Sequence, residues 1–93
     1  MIRLDQIKTV GVVGAGTMGQ GIARVCAAAG HSTLLYDISE AVVIRAIEAI
    51  QKDLQVAVDK GKMTPHDRDE TQRNILPCSD LRKLKVDLVI EAG

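Results

Sequence analysis

The run Gly14-Ala15-Gly16-Thr17-Met18-Gly19 stands between a β-type segment and a helical one, and few architectures accommodate that succession. Before it, Lys8 to Val13 reads K-T-V-G-V-V, a short apolar run suited to a central parallel strand buried on both faces. After it the period changes. Met18, Ile22, Val25, Cys26 and Ala29 recur at helical spacing, with Gln20 and Arg24 opposite, which predicts the buried stripe of a first helix. Glycine inside a helix costs about 1 kcal/mol. Gly19 and Gly21 both incur that cost within one turn, so the pattern serves something other than helix stability. Gly30 then supplies a natural helix stop.

The remaining chain continues the alternation. Thr33 to Asp37, T-L-L-Y-D, predicts a second strand. Ser39 is placed as an N-cap with Glu40 in the first turn, where the helix dipole favours an anion. A long helix follows, with Val43, Ile47, Ile50, Leu54 and Val58 as its apolar stripe and Glu48–Lys52 as an i,i+4 pair on the wet side. Gly61 ends it. Thr64, Pro65 and Asp67 start another helix, so residues 39 to about 74 form a helical hairpin. Ile75 to Cys78 is a short third strand and Val86 to Glu91 a fourth. This order predicts an α/β fold with a parallel sheet. Right-handed crossovers place the strands 3-2-1, with the fourth on the far side of the first. No internal repeat or low-complexity linker is visible.

Composition narrows the class. A chain of 93 residues makes one small domain and not two. Tyr36 is its single aromatic residue, so the core must be aliphatic, and a base-stacking nucleic-acid module is disfavoured. Twelve basic and twelve acidic residues give zero formal charge, and Arg82, Lys83 and Lys85, interrupted by Leu84, read as a solvated cluster and not a polyanion site. Cys26 and Cys78 match no metal spacing, and both read as buried thiols in a reducing cytosol. Met1 to Asp5 has no apolar signal core and no run reaches membrane-spanning length, so a cytoplasmic protein is expected, with no membrane or nucleic-acid partner.

The glycine run fits G-x-G-x-x-G in the context that gives the pattern meaning. It follows a strand, opens a helix, and is answered by an acid, Asp37, at the end of the next strand. Gly14 permits the tight turn. Gly16 carries no side chain, so a pyrophosphate can approach the backbone. Gly19 lets helix and strand pack closely. The helix N-terminus offers unpaired N–H groups to the diphosphate. Gln20 stands where a Walker loop would need lysine, which excludes that alternative. These features predict a Rossmann-type dinucleotide site. Asp37 at the strand end suits the two ribose hydroxyls of NAD and would repel the 2′-phosphate of NADP. Its competing role is to cap the following helix, where Ser39 also stands.

Val10 to Ala23, V-G-V-V-G-A-G-T-M-G-Q-G-I-A, resembles the start of the L-3-hydroxyacyl-CoA dehydrogenases, including the 3-hydroxybutyryl-CoA dehydrogenases. So do Gly30 to Asp37 and Asp87 to Ala92, and so does the hairpin between the second and third strands. The resemblance covers nearly the whole chain. It implies an enzyme that oxidises the 3-hydroxyl of an acyl-CoA with NAD in fatty-acid metabolism. It implies cofactor contacts at Gly14, Ala15, Gly16, Thr17, Met18, Gly19, Asp37 and Ala92, the last in the loop near the nicotinamide ribose. It implies a CoA contact at Lys60, although Asp53 replaces the serine that accompanies that lysine in the family. The family's catalytic His and Glu lie beyond the matched region, and neither His31 nor His66 corresponds to that His. Residues 1–93 are therefore expected to form the N-terminal NAD-binding part of a doubly wound domain, without the C-terminal substrate and dimerisation domain. They should bind cofactor without turnover and carry no catalytic or metal residue. Both crossovers move one way along the sheet, so the helices should share a face and leave an apolar face and the outer edge of the fourth strand open to self-association or to a missing segment that covers them. Two alternatives remain: another NAD dehydrogenase, such as a 3-hydroxyisobutyrate dehydrogenase type, which the long hairpin disfavours, and a stand-alone module that binds NAD or adenosine nucleotides.

Overall fold

The computed structural model describes residues 6–92; Met1–Asp5, where the missing signal core was read, and Gly93 lie outside the described residues. Four parallel strands form one sheet in the order β3-β2-β1-β4. These are β1 (Thr9–Val13), β2 (Ser32–Tyr36), β3 (Ile75–Cys78) and β4 (Leu88–Glu91). Helix α1 (Thr17–Ala28) connects β1 to β2, and the hairpin of α2 (Glu40–Asp59) and α3 (Pro65–Arg73) connects β2 to β3. The three helices contact one another and lie on one face of the sheet, giving a slab 18 Å thin in its shortest dimension.

Local chemistry sets the helix ends. Ser39 accepts a hydrogen bond from Val42 N, and Thr64 Oγ1 accepts one from Asp67 N at 3.0 Å with Pro65 in the first helical turn. At the C-terminus of α1, Gly30 N donates to Ala27 O and His31 N to Cys26 O, the paired pattern of a Schellman stop. Gly61 N to Val58 O and Lys62 N to Ala57 O repeat it after α2.

The core is aliphatic. Val10 and Val12 of β1 and Leu35 of β2 meet Ala23 and Ala27 of α1 and Val43, Ala46, Ile50 and Leu54 of α2. The buried face of α1 differs from the expected stripe. Gly19, Ala23 and Ala27 face the core, while Met18 and Val25 are 66% and 69% exposed. The large apolar residues dominate the periodicity, but the close approach of this helix leaves only small ones fully buried, with Ile22 and Cys26 packed partly against the core. In α2, Ala46 takes the central place expected of Ile47, which is only partly buried. Cys26 is half-buried, not buried as expected; Cys78 is buried. Glu48 and Lys52 do not close an ion pair; the pairs formed among the described residues are Arg68–Asp69, Arg73–Glu70 and Arg82–Asp80.

β4 starts two residues later than expected, and Asp87 explains the start. Its Oδ2 accepts from Lys8 N at 2.8 Å and from Thr9 N at 3.1 Å, while its own N–H donates to Thr9 O and Oγ1. These bonds anchor the head of β4 to the head of β1. Between β3 and β4 the chain crosses the face away from the helices, and Leu84 lies there against Gly11, where any Cβ would stand 3.0 Å from its side chain. The face opposite the helices is thus partly roofed, while Arg82, Lys83 and Lys85 around Leu84 stay exposed.

Candidate functional site

The C-terminal ends of β1, β2 and β4 converge on a cleft of about 430 Å³ lined by Val13, Gly14, Tyr36, Asp37, Ile38 and Glu91. Strand order reverses between β1 and β4, which is where open α/β sheets bind ligands. Gly14 enters the turn at φ 109°, a conformation L side chains rarely adopt, and its N–H donates to Tyr36 O at 2.7 Å. A Cβ on Gly19 would lie 1.7 Å from Gly14 O, so the first turn of α1 rests directly on the glycine turn. A Cβ on Gly16 would meet nothing within 4 Å. Space is kept open there, and no neighbouring protein atom demands it.

Gly16 is the N-cap of α1. No side chain caps this helix and no acid sits in its first turn, whereas Ser39 with Glu40 and Thr64 with Asp67 serve α2 and α3. The N-terminal donors of α1, at Thr17, Met18 and Gly19, thus have no capping side chain, on the helix that follows the Gly14 turn at the cleft.

Asp37 follows the last residue of β2 and is half-buried. Its Oδ1 accepts from Ser39 N at 3.0 Å and its Oδ2 from Ala15 N at 2.9 Å. The Ser39 and Ala15 amides hold its carboxyl below the usual carboxylate range against an opposing effect of desolvation, with the Ile38 amide a lesser help. It stays an anion at neutral pH, able to accept further hydrogen bonds. Both roles weighed for Asp37 therefore have a structural counterpart: it supports the start of the α2 connection, and it faces the cleft.

The expected contacts do not all converge. Gly14 and Asp37 line the cleft, and Ala15 and Gly16 continue the turn into α1. Thr17 and Met18 line a separate shallow depression along α1 with Gly21 and Val25. Gly19 packs on the Gly14 carbonyl, and Ala92 adjoins the turn, its N–H donating to Val13 O at 2.8 Å. Lys60, the C-cap of α2, is exposed and stands about 30 Å along that helix from Ser39, at 1.5 Å per residue. His31 Nδ1 lies 2.9 Å from Ile7 O, and His66 is exposed at the start of α3. Among the described residues no cluster of His, Cys, Asp or Glu could hold a metal ion. Tyr36, Ile38 and Glu91 line the cleft without having been named as site residues from the sequence. Their signal was positional: each stands at or just past a strand's C-terminal end.

The model of the 3-hydroxyacyl-CoA dehydrogenase NAD-binding domain matches residues 9–93. The chain belongs to this family. NAD is the cofactor of the domain that the family model describes. The 3-hydroxyadipyl-CoA dehydrogenase of Escherichia coli K12 is 46% identical over 88 residues, which cover 94% of this chain and 18% of the relative. A 3-hydroxybutyryl-CoA dehydrogenase of Mycobacterium tuberculosis is 43% identical over 89 residues, 95% of this chain and 31% of the relative. The crystal structure of (S)-3-hydroxybutyryl-CoA dehydrogenase from Ralstonia eutropha superposes with a TM-score of 0.89 at 40% identity, covering 94% of this chain and 31% of that one. The chain thus spans between about a fifth and a third of the length of these relatives. Among the described residues no helix is long and apolar enough to cross a membrane.

Proposed function

We propose that this domain holds NAD for the oxidation of the 3-hydroxyl of an L-3-hydroxyacyl-CoA. The observation that carries the reading is the uncapped N-terminus of α1, opened by the unobstructed Gly16 and flanked by the Asp37 carboxylate. A diphosphate meets the donors of Gly16, Thr17, Met18 and Gly19 in the electropositive first turn. Asp37 accepts from the adenosine ribose. Ala15 and Gly14 shape the turn, and Ala92 borders it toward the nicotinamide ribose. When bound, NAD supplies a hydride acceptor. The alcohol proton requires a base within hydrogen-bond reach, and the reading takes that base from the rest of the enzyme. Lys60 contributes a cation to the CoA tail at the far end of α2. A cytoplasmic location, and self-association through the more open sheet face, complete the reading.

Titration of the full chain and its Asp37→Ala variant with NADH and NADPH, followed by fluorescence, tests the cofactor assignment. The wild type should prefer NADH, and the variant should lose on the order of ten- to a hundred-fold in NADH affinity. Equal wild-type affinities for the two nucleotides would overturn it.

A further inference from the structure

The Asp37 carboxylate is engaged before any ligand arrives. One oxygen takes the Ser39 N–H at 3.0 Å and the other takes the Ala15 N–H at 2.9 Å, a contact spanning 22 residues of sequence. Ala15 is the buried residue between Gly14, with φ 109°, and Gly16, the α1 N-cap. The Gln20 amide reaches the Ala15 carbonyl only at 3.5 Å, at the long limit of a hydrogen bond, so Asp37 provides the firmer of the two side-chain holds on this residue's backbone.

We propose that Asp37 is a positioning residue for the diphosphate turn as well as a ligand of the ribose: by holding the Ala15 N–H it sets the conformation in which Gly16 and the first turn of α1 present their donors. This rests on the cleft being the cofactor site proposed above. Two consequences follow from the geometry. The Ala15 N–H is withheld from the ligand, leaving the diphosphate to the donors from Gly16 onward. The ribose and diphosphate subsites share one carboxylate, so disturbing it at one affects the other.

The sign of one measurement separates this from a simple ribose acceptor. A carboxylate that served only the ribose would repel the diphosphate, and its removal would free the Ala15 donor. A ligand without ribose hydroxyls would then bind the Asp37→Ala variant as well as the wild type, or better. A positioning carboxylate gives the opposite result, because the turn loses its anchor.

The full chain is titrated by calorimetry with ADP and with 2′,3′-dideoxyadenosine 5′-diphosphate. Wild type should bind ADP more tightly than the dideoxy compound; equal affinities would overturn the ribose reading and leave the turn to be judged separately. Asp37→Ala should bind the dideoxy compound about five- to ten-fold more weakly than wild type. Asp37→Asn keeps an oxygen for the Ala15 N–H and should restore most of that loss. Unchanged or tighter binding of the dideoxy compound by Asp37→Ala would overturn the proposal. A readout on the wild type alone covers a variant that does not fold. In an acid titration followed by amide NMR, the Ala15 and Ser39 N–H resonances should shift together as Asp37 protonates. An Ala15 resonance that stays still while Ser39 moves would overturn the proposal.

Discussion

Gly16 and Gly19 sit three residues apart in one motif, and the structure assigns them opposite liabilities. A side chain at Gly16 enters open space from an extended backbone with φ −74° and ψ −167°, which other residues adopt without strain. A side chain at Gly19 collides with the Gly14 carbonyl. Gly16→Val should therefore keep its circular dichroism spectrum and an unfolding free energy in urea within about 1 kcal/mol of wild type, yet lose NAD binding by calorimetry. Gly19→Ala should lose about 1–3 kcal/mol of stability, because the overpacked contact is with backbone that cannot swing aside. A Gly16→Val variant with full NAD affinity would mean that the diphosphate lies elsewhere. The close packing at Gly19 was legible in the sequence, since motif and flanking elements together define what that glycine faces. The Asp37–Ala15 contact was not, because a side chain's choice of a distant amide depends on how two loops meet. Nothing in the structure explains Gly21, whose Cβ would meet no neighbour within 4 Å.

At the level of elements, what local chemistry decides was readable and what packing decides was not. Ser39, Thr64, Gly30 and Gly61 end their helices as expected, because caps act within a few residues of their own position. The buried face of α1 and the start of β4 depend on partners distant in sequence. Asp87 decides the second. The amides of Lys8 and Thr9 hold its carboxyl below the usual range against desolvation, with lesser help from the Thr9 hydroxyl and the Lys8 charge. A carboxylate whose folded pKa lies below its unfolded value, about 3.9, contributes stability above that value. The contribution is lost as the pH falls through the folded pKa. Asp87→Asn should thus be less stable than wild type at pH 7, and its urea midpoint should fall less steeply between about pH 5 and pH 2. An acid slope identical to that of wild type would mean that the β4 anchor does not depend on charge.

Across the whole molecule, a sheet with helices on one side has two unequal faces. The register aligns Leu76, Leu34, Gly11 and Val89 across all four strands on the face away from the helices. The one-sided helix layer was foreseeable from right-handed crossovers. The cover that Leu84 lends Gly11 was not, since in sequence Leu84 looked only like a break in a basic cluster. That cover is central. Toward the sheet edges Leu76 and Val89 remain 51% and 50% exposed, and Leu81 beside the strap is 51% exposed. Among the described residues β4 is also an edge strand, with no strand paired along its outer side. Apolar side chains on a face next to an unpaired edge favour contact between copies. A polypeptide of these 93 residues should therefore sediment with a mass that rises with concentration. Val89→Lys should reduce that association without altering NAD affinity, because Val89 points away from the helix layer and does not line the cleft. Leu88→Lys, on the opposite face of the same strand, serves as the control for edge pairing. If both variants dissociate the assembly, the edge carries the contact; if only Val89→Lys does, the face carries it. A polypeptide that stays monomeric at millimolar concentration would show that the Leu84 strap covers enough of this face to keep it from self-association.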